Sequence, residues 1–138
     1  MSKSSEFDFV VYGATGFTGK LVVEYLQAKY SDNNEINWAM AGRSLEKLNQ
    51  VKTDLGVSNS VKILEVNSND QASIEKMMEM TDCVLTTVGP YQLYGNEIVK
   101  SCAETGTDYV DLCGEPGWMH EMISKYNDKA KETGARIV

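Results

Sequence analysis

No stretch of the sequence approaches the roughly 18 consecutive apolar residues of a membrane span. Its start, Met1 to Asp8, lacks the apolar core of a secretory signal, so an intracellular, by default cytoplasmic, protein is expected. Histidine occurs once, at His120, and cysteine three times, at Cys83, Cys102 and Cys113, with no C-x-x-C pair. Such spacing offers neither a disulfide framework nor a zinc site; reduced thiols and no metal are expected. Basic residues are outnumbered 13 to 20 by acidic ones, for a net charge of −7. Nucleic-acid binding rests on neutralising phosphates with Lys and Arg and is disfavoured, so an anionic ligand has to be captured by a few local groups.

Linkers and low-complexity tracts are missing too. The 138 residues, 42% apolar and 24% charged, suffice for one domain with its own core. Six short apolar runs recur: Phe7 to Tyr12, Ile36 to Ala41, Val61 to Val66, Cys83 to Val88, Tyr109 to Leu112 and Ala135 to Val138. Between them, apolar residues fall at helical spacing, as in Leu45, Leu48, Val51 and Leu55, or Met119, Met122, Ile123 and Tyr126. Ser44 is placed to cap the second helix, and Gly56, Gly106 and Gly134 stand where helices end. This alternation predicts an α/β fold: a Rossmann-type, doubly wound parallel sheet of six strands in the order 3-2-1-4-5-6, with helices on both faces. The last run stops inside an apolar strand, which suggests one domain, residues 1–138, cut from a longer two-domain protein.

Directly after the first run stands Gly13-Ala14-Thr15-Gly16-Phe17-Thr18-Gly19, opening a helix-like segment. In this strand-loop-helix context Gly13 permits the tight turn, Gly16 lets the backbone approach a pyrophosphate, and Gly19 lets the helix pack on the strand. The phosphates then sit on the helix N-terminus, where free N–H groups and the macrodipole favour negative charge. A glycine-rich turn that binds nothing is the plainer reading. Thr18 is a candidate phosphate donor, although Thr18 and Phe17 serve equally well to shape the turn.

An NAD enzyme usually places Asp or Glu at the carboxyl end of the second strand to accept from the adenosine ribose. Here the residues are Ala41-Gly42-Arg43-Ser44. A guanidinium pairs with a 2′-phosphate where a carboxylate would repel it, Gly42 leaves room, and Ser44 adds donors at the next helix start, so NADP is expected over NAD. Glu35 stands at the wrong end of that strand to act for NAD, and Lys47 reads as a surface charge. For Arg43 the alternative is a solvated surface arginine.

Ligands in such sheets bind beyond the carboxyl ends of the strands, at the switch point. Val88, Gly89, Pro90 and Tyr91 are therefore candidate walls for the nicotinamide end, or an ordinary turn. Cys113 and Glu115 fall at the same edge, but no partner base or electrophile is visible, and a packed thiol and a helix-terminal acid describe them as well. No catalytic residue is assigned. His120 lies inside the last helix, and the Tyr25-x-x-x-Lys29 pair, which mimics a dehydrogenase Tyr-Lys, falls on the first helix, away from the hydride edge.

Taken together, Val10 to Gly19, Ala41-Gly42-Arg43-Ser44, Val88-Gly89-Pro90-Tyr91 and Cys113-Gly114-Glu115 resemble the saccharopine dehydrogenase-like oxidoreductases, over nearly the whole chain from Phe9 to Val138. The resemblance implies an NADP-binding domain followed by an α+β domain that carries the small-molecule substrate site and forms a homodimer. The glycine loop is similar to the branch containing trans-acting enoyl reductases rather than to saccharopine reductases proper. That likeness implies a lipid-related, or otherwise an amino-acid-derived, substrate, and association of the full protein with lipid droplets or membrane. The competing class is a non-catalytic NADP(H) sensor or interaction module, and a Rossmann domain that has lost its ligand is a third reading.

Overall fold

The computed structural model describes residues 5–30 and 35–138; residues 1–4, on which the reading of the chain's start partly rests, lie outside them. Among the described residues, five parallel strands form one sheet in the order β3-β2-β1-β4-β5. They are β1 (Phe9–Tyr12), β2 (Trp38–Gly42), β3 (Lys62–Glu65), β4 (Cys83–Thr86) and β5 (Asp108–Asp111). The helices that connect and follow them are α1 (Phe17–Tyr30), α2 (Leu45–Leu55), α3 (Gln71–Met80), α4 (Tyr91–Tyr94), α5 (Asn96–Thr105) and α6 (Pro116–Thr133).

The expected sixth strand is corrected: it is reduced to a single parallel bridge, Ile137 to Tyr109, in its expected place beside β5. Val138 N donates to Tyr109 O and Tyr109 N to Arg136 O, while the Arg136 side chain grips Asp108. Gly134 ends α6 immediately before this rung. The other strands are also shorter than their apolar runs. Phe7 makes only a bridge to Thr81, and the residues after Thr86 leave the ladder to form the site described below.

Both faces of the sheet are covered, which is why its central strands read as continuous apolar runs rather than alternating ones. Val11 and Met40 point to one side, against Val23 and Leu26 of α1 and Leu48 and Val51 of α2. Val10, Tyr12, Ala39, Ala41 and Val84 point to the other, against Ile74, Met77 and Met78 of α3 and Ile98, Val99 and Cys102 of α5. The edge strand β3 instead exposes Lys62 and Glu65, charges that discourage pairing with another edge.

The helix boundaries follow the local chemistry. Ser44 accepts from Lys47 N at 3.2 Å and caps α2, and Gly56, Gly106 and Gly134 close α2, α5 and α6 in left-handed conformation. The expected apolar faces are only partly covered. Leu48, Val51 and Met122 are buried, whereas Leu45, Met119 and Ile123 are exposed because α2 and α6 each present a narrower stripe to the sheet than the spacing suggested.

Burial pushes the Cys83 thiol from 9.0 up to about 11, with the Asp108 charge adding to the effect. Its neutral form is thus favoured by folding: that contribution to stability is complete below pH 9 and is lost as the pH rises through about 11. At pH 8 the thiolate population is about a hundredfold below that of an unburied thiol. Cys102 is fully buried. Alkylation by iodoacetamide at pH 8, followed by mass spectrometry, is expected to modify Cys83 and Cys102 far more slowly in the native protein than in urea; equal rates would contradict this packing.

Candidate active site: a dinucleotide cradle

The polypeptide leaves β1 in a turn that only glycine can make here. Gly13 has φ +92°, and a Cβ on it would lie 2.7 Å from Val88 Cγ2 and 2.8 Å from Thr87 Oγ1. Its amide and that of Ala14 donate to Ala41 O at 3.0 and 3.2 Å, tying the turn to β2, while Thr87 N donates to Tyr12 O and ties β4 to its other side. Gly16 N then reaches back to Gly13 O and Lys20 N to Gly16 O, and α1 begins at Phe17. The first amides of α1, on Phe17, Thr18 and Gly19, have no intrahelical acceptor and point out of the helix end. With the helix dipole behind them they suit a phosphate.

Gly19 fixes how near that helix end comes to the strand. A Cβ at this position would lie 1.9 Å from Gly13 O and 2.9 Å from the Ala14 Cα, all of it backbone that cannot step aside. Gly16 differs: a Cβ there would meet only Gly13 O, at 3.5 Å, and the residue is exposed toward the loop mouth. Gly19 thus serves packing, and Gly16 keeps the approach open.

One strand over, β2 ends at buried Gly42 and hands the chain to Arg43, which is exposed. Among the described residues no carboxylate forms a salt bridge with Arg43; the four ion pairs involve Lys62, Lys125, Lys129 and Arg136. A Cβ at Gly42 would touch Leu48 at 3.5 Å, an ordinary contact, so packing alone does not demand glycine there. Glu35 precedes β2 at its amino end, and Lys47 is exposed on α2.

Beyond β4, Val88 N donates to Thr86 Oγ1, and Val88 and Gly89 stand next to the glycine turn before a cis Gly89–Pro90 bond. Tyr91 turns inward: its side chain is buried and its hydroxyl donates to Thr86 O at 3.1 Å. The Glu115 carboxylate accepts from Tyr91 N at 2.7 Å and from Gln92 N at 3.2 Å. It therefore clamps the segment after β4 to the one after β5, rather than capping its own helix α6. Cys113 Sγ accepts from Glu115 N, and burial pushes its thiol pKa up, so it stays a thiol. His120 is exposed on α6, and Tyr25 and Lys29 meet at 3.2 Å on the exposed side of α1.

These segments enclose a cavity of about 370 Å³ at the carboxyl edge of the sheet, lined on one side by the Gly13 turn with Thr15 and Gly16, and on others by Gly42, Arg43, Val88 and Gly89. Seven of the residues singled out in the sequence thus converge. Ala14 and Gly19 instead lie buried beneath the turn, Thr18 and Phe17 on the first turn of α1, Ser44 in the cap of α2, Tyr91 behind the wall and Pro90 exposed beside it. Sequence reasoning missed Tyr12, Thr87, Tyr94 and the run Asn67, Ser68 and Asn69, which also line the cavity. The run was findable: three polar residues follow the third apolar run, and the strand order brings them to the same edge. Among the described residues no cluster of His, Cys, Asp and Glu is fit to hold a metal, and no helix is long and apolar enough to cross a membrane.

The chain is similar to several known proteins. The family model described as the saccharopine dehydrogenase NADP-binding domain matches residues 9–138. A lipid droplet localized protein of Caenorhabditis elegans is 43% identical over 140 residues, covering 97% of this chain and 32% of that protein. A saccharopine dehydrogenase-like oxidoreductase of Mus musculus is 40% identical over 142 residues, covering 96% and 33% respectively. A trans-acting enoyl reductase of Mycobacterium leprae is 42% identical over 134 residues, covering 96% and 31%. The chain thus spans about a third of the length of these relatives. Among solved structures, saccharopine dehydrogenase (L-Glu forming) of Saccharomyces cerevisiae superposes with a TM-score of 0.72 at 20% identity, over 95% of this chain and 26% of that one. A likeness at that identity bears on the fold alone.

The two glycines separate packing from binding. Gly19→Ala is expected to cost about 3 kcal/mol or more through overpacking against backbone, which lowers the melting temperature by roughly 10 °C or prevents folding. Gly16→Ala is expected to melt within about 2 °C of the parent while weakening NADPH binding about tenfold or more by obstructing the phosphate. Equal melting of the two variants, or unchanged NADPH affinity in Gly16→Ala, would contradict the roles given to them.

Proposed function

The chain belongs to the saccharopine dehydrogenase NADP-binding domain family, and we propose that it holds NADP(H) for an oxidoreductase whose substrate is a lipid-related unsaturated acyl chain. The observation that carries the reading is the pairing, on one cavity, of an open helix N-terminus after the glycine turn with an Arg43 that no described carboxylate neutralises.

In this reading the amides of Phe17 and Thr18 bind the pyrophosphate, and the open surface at Gly16 lets it come close. Arg43 pairs with the 2′-phosphate in a protein whose net charge of −7 otherwise repels such a ligand. The donor set fits the group: backbone amides and one guanidinium for phosphates, with the small Gly89 and the branched Val88 as a wall toward the nicotinamide. NADPH bound there supplies a hydride. This chain's contribution is to hold and orient its donor and keep water from the wall side, and no proton donor is assigned within it.

Two relatives support an acyl substrate: one is named a trans-acting enoyl reductase and another a lipid droplet localized protein. Reduction of an enoyl thioester adds hydride to the β-carbon and a proton to the α-carbon. Cys113 and Glu115 at the same edge are already engaged, one as a neutral thiol and the other as a clamp, which favours a substrate site completed by residues outside this chain.

Arg43→Ala is expected to weaken NADPH binding by about ten- to a hundredfold and to leave NADH within about twofold, as followed by nucleotide fluorescence titration. Equal effects on both nucleotides would remove the 2′-phosphate assignment. For the substrate, NADPH oxidation by the full-length protein is expected with α,β-unsaturated thioesters. Turnover only with imines formed from amino acids and aldehydes would overturn the acyl reading, and tight nucleotide binding with neither turnover would favour a sensor.

A further inference from the structure

The strand β1 carries one side-chain hydroxyl, on a ring that packs among apolar residues. Tyr12, its last residue, is only 2% exposed, and its ring packs on the α3 and α5 side of the sheet among Ala41, Val66 and Val84. Phenylalanine would fill that space equally well, and a buried hydroxyl costs stability unless something receives it. Tyr12 nevertheless lines the dinucleotide cavity together with Gly42, Arg43 and Ser68.

The groups acting on this hydroxyl are few. Burial raises its pKa, while Ser68, through its side chain and its backbone, and the positive charge of Arg43 pull it back down. Ser68 is thus disposed to donate toward the Tyr12 oxygen. Ser68 is the hydroxyl's hydrogen-bonding neighbour, and burial keeps the Tyr12 proton in place at neutral pH. The result is a nine-tenths buried hydroxyl, backed by Ser68, at the wall of the cavity that also holds a guanidinium without a salt-bridge partner among the described residues. Such a donor beside a guanidinium calls for an anionic oxygen.

We infer that Tyr12 is a specificity-determining residue whose hydroxyl donates to the adenosine 2′-phosphate paired with Arg43, with Ser68 as a positioning residue that orients the hydroxyl. The inference rests on the NADP(H) reading above and names a further contact in that site. Three elements then read the 2′-phosphate end: Tyr12 from the end of β1, Arg43 from the end of β2, and Ser68 from the loop after β3. This also accounts for a hydroxyl where packing alone requires none.

The test uses two small probes that isolate the adenosine end, adenosine 2′,5′-bisphosphate and adenosine 5′-monophosphate, titrated calorimetrically into the parent, Tyr12→Phe, Ser68→Ala and the double variant. Tyr12→Phe keeps the ring and is expected to melt near the parent temperature. It should bind the bisphosphate about tenfold more weakly, with the monophosphate changed less than about twofold. Ser68→Ala should show a smaller loss in the same direction, Ser68→Thr should restore most of it, and the double variant should fall no further than Tyr12→Phe. Unchanged bisphosphate affinity in Tyr12→Phe, or an equal loss for both probes, would overturn the role of Tyr12 while leaving Arg43 in place. A parent protein that does not distinguish the probes would overturn the NADP(H) reading and this inference with it.

Discussion

The contact between Gly19 and the Gly13 carbonyl sets the geometry on which the rest of the site depends. Because no side chain intervenes, the first turn of α1 lies directly on the turn that leaves β1, and its unsatisfied amides open at the carboxyl edge of the sheet. Any larger residue at 19 would push the helix end outward, and the amides would no longer face the space between β1 and β4. The Gly13 turn is held from both neighbouring strands, by Ala41 on one side and Thr87 on the other. The cradle is therefore part of the sheet's hydrogen-bond frame rather than a free loop, which keeps the donors in place before any ligand arrives.

The charge distribution complements this frame. An acidic chain attracts a multiply charged anion only where local groups outweigh the global field, and here those groups are a helix N-terminus and an arginine left without an acidic partner among the described residues. At the other end of the carboxyl edge Glu115 caps α4 through two amides, and Asp111 accepts from Tyr109 and from Cys113 N. The Glu115 bonds join the segments that follow β4 and β5 into one wall.

Much of this was legible in the sequence because it depends on local chemistry. The glycine spacing, the Ser44 cap, the three glycine helix ends and the substitution of Arg43 for a carboxylate are each written within a few residues, and strand order follows from right-handed crossovers. The parts that could not be read depend on tertiary placement. Leu45, Met119 and Ile123 share helical spacing with buried neighbours yet stay exposed, since spacing does not tell how wide a stripe the sheet covers. Tyr91 read as a wall residue but turns into the core, because its hydroxyl finds Thr86 O. Tyr12 looked like one more apolar strand residue, and its hydroxyl acquires meaning only when the third strand's loop lies over it.

The central claim is that the open amides of α1 and the Arg43 guanidinium form one anion site. Amide and guanidinium NMR signals followed during titration with NADP⁺ test it most directly. The account predicts that the Gly16, Phe17 and Thr18 amides and the Arg43 Nε proton shift together and saturate on a single binding curve. Shifts confined to α6, or none at all at millimolar nucleotide, would contradict it.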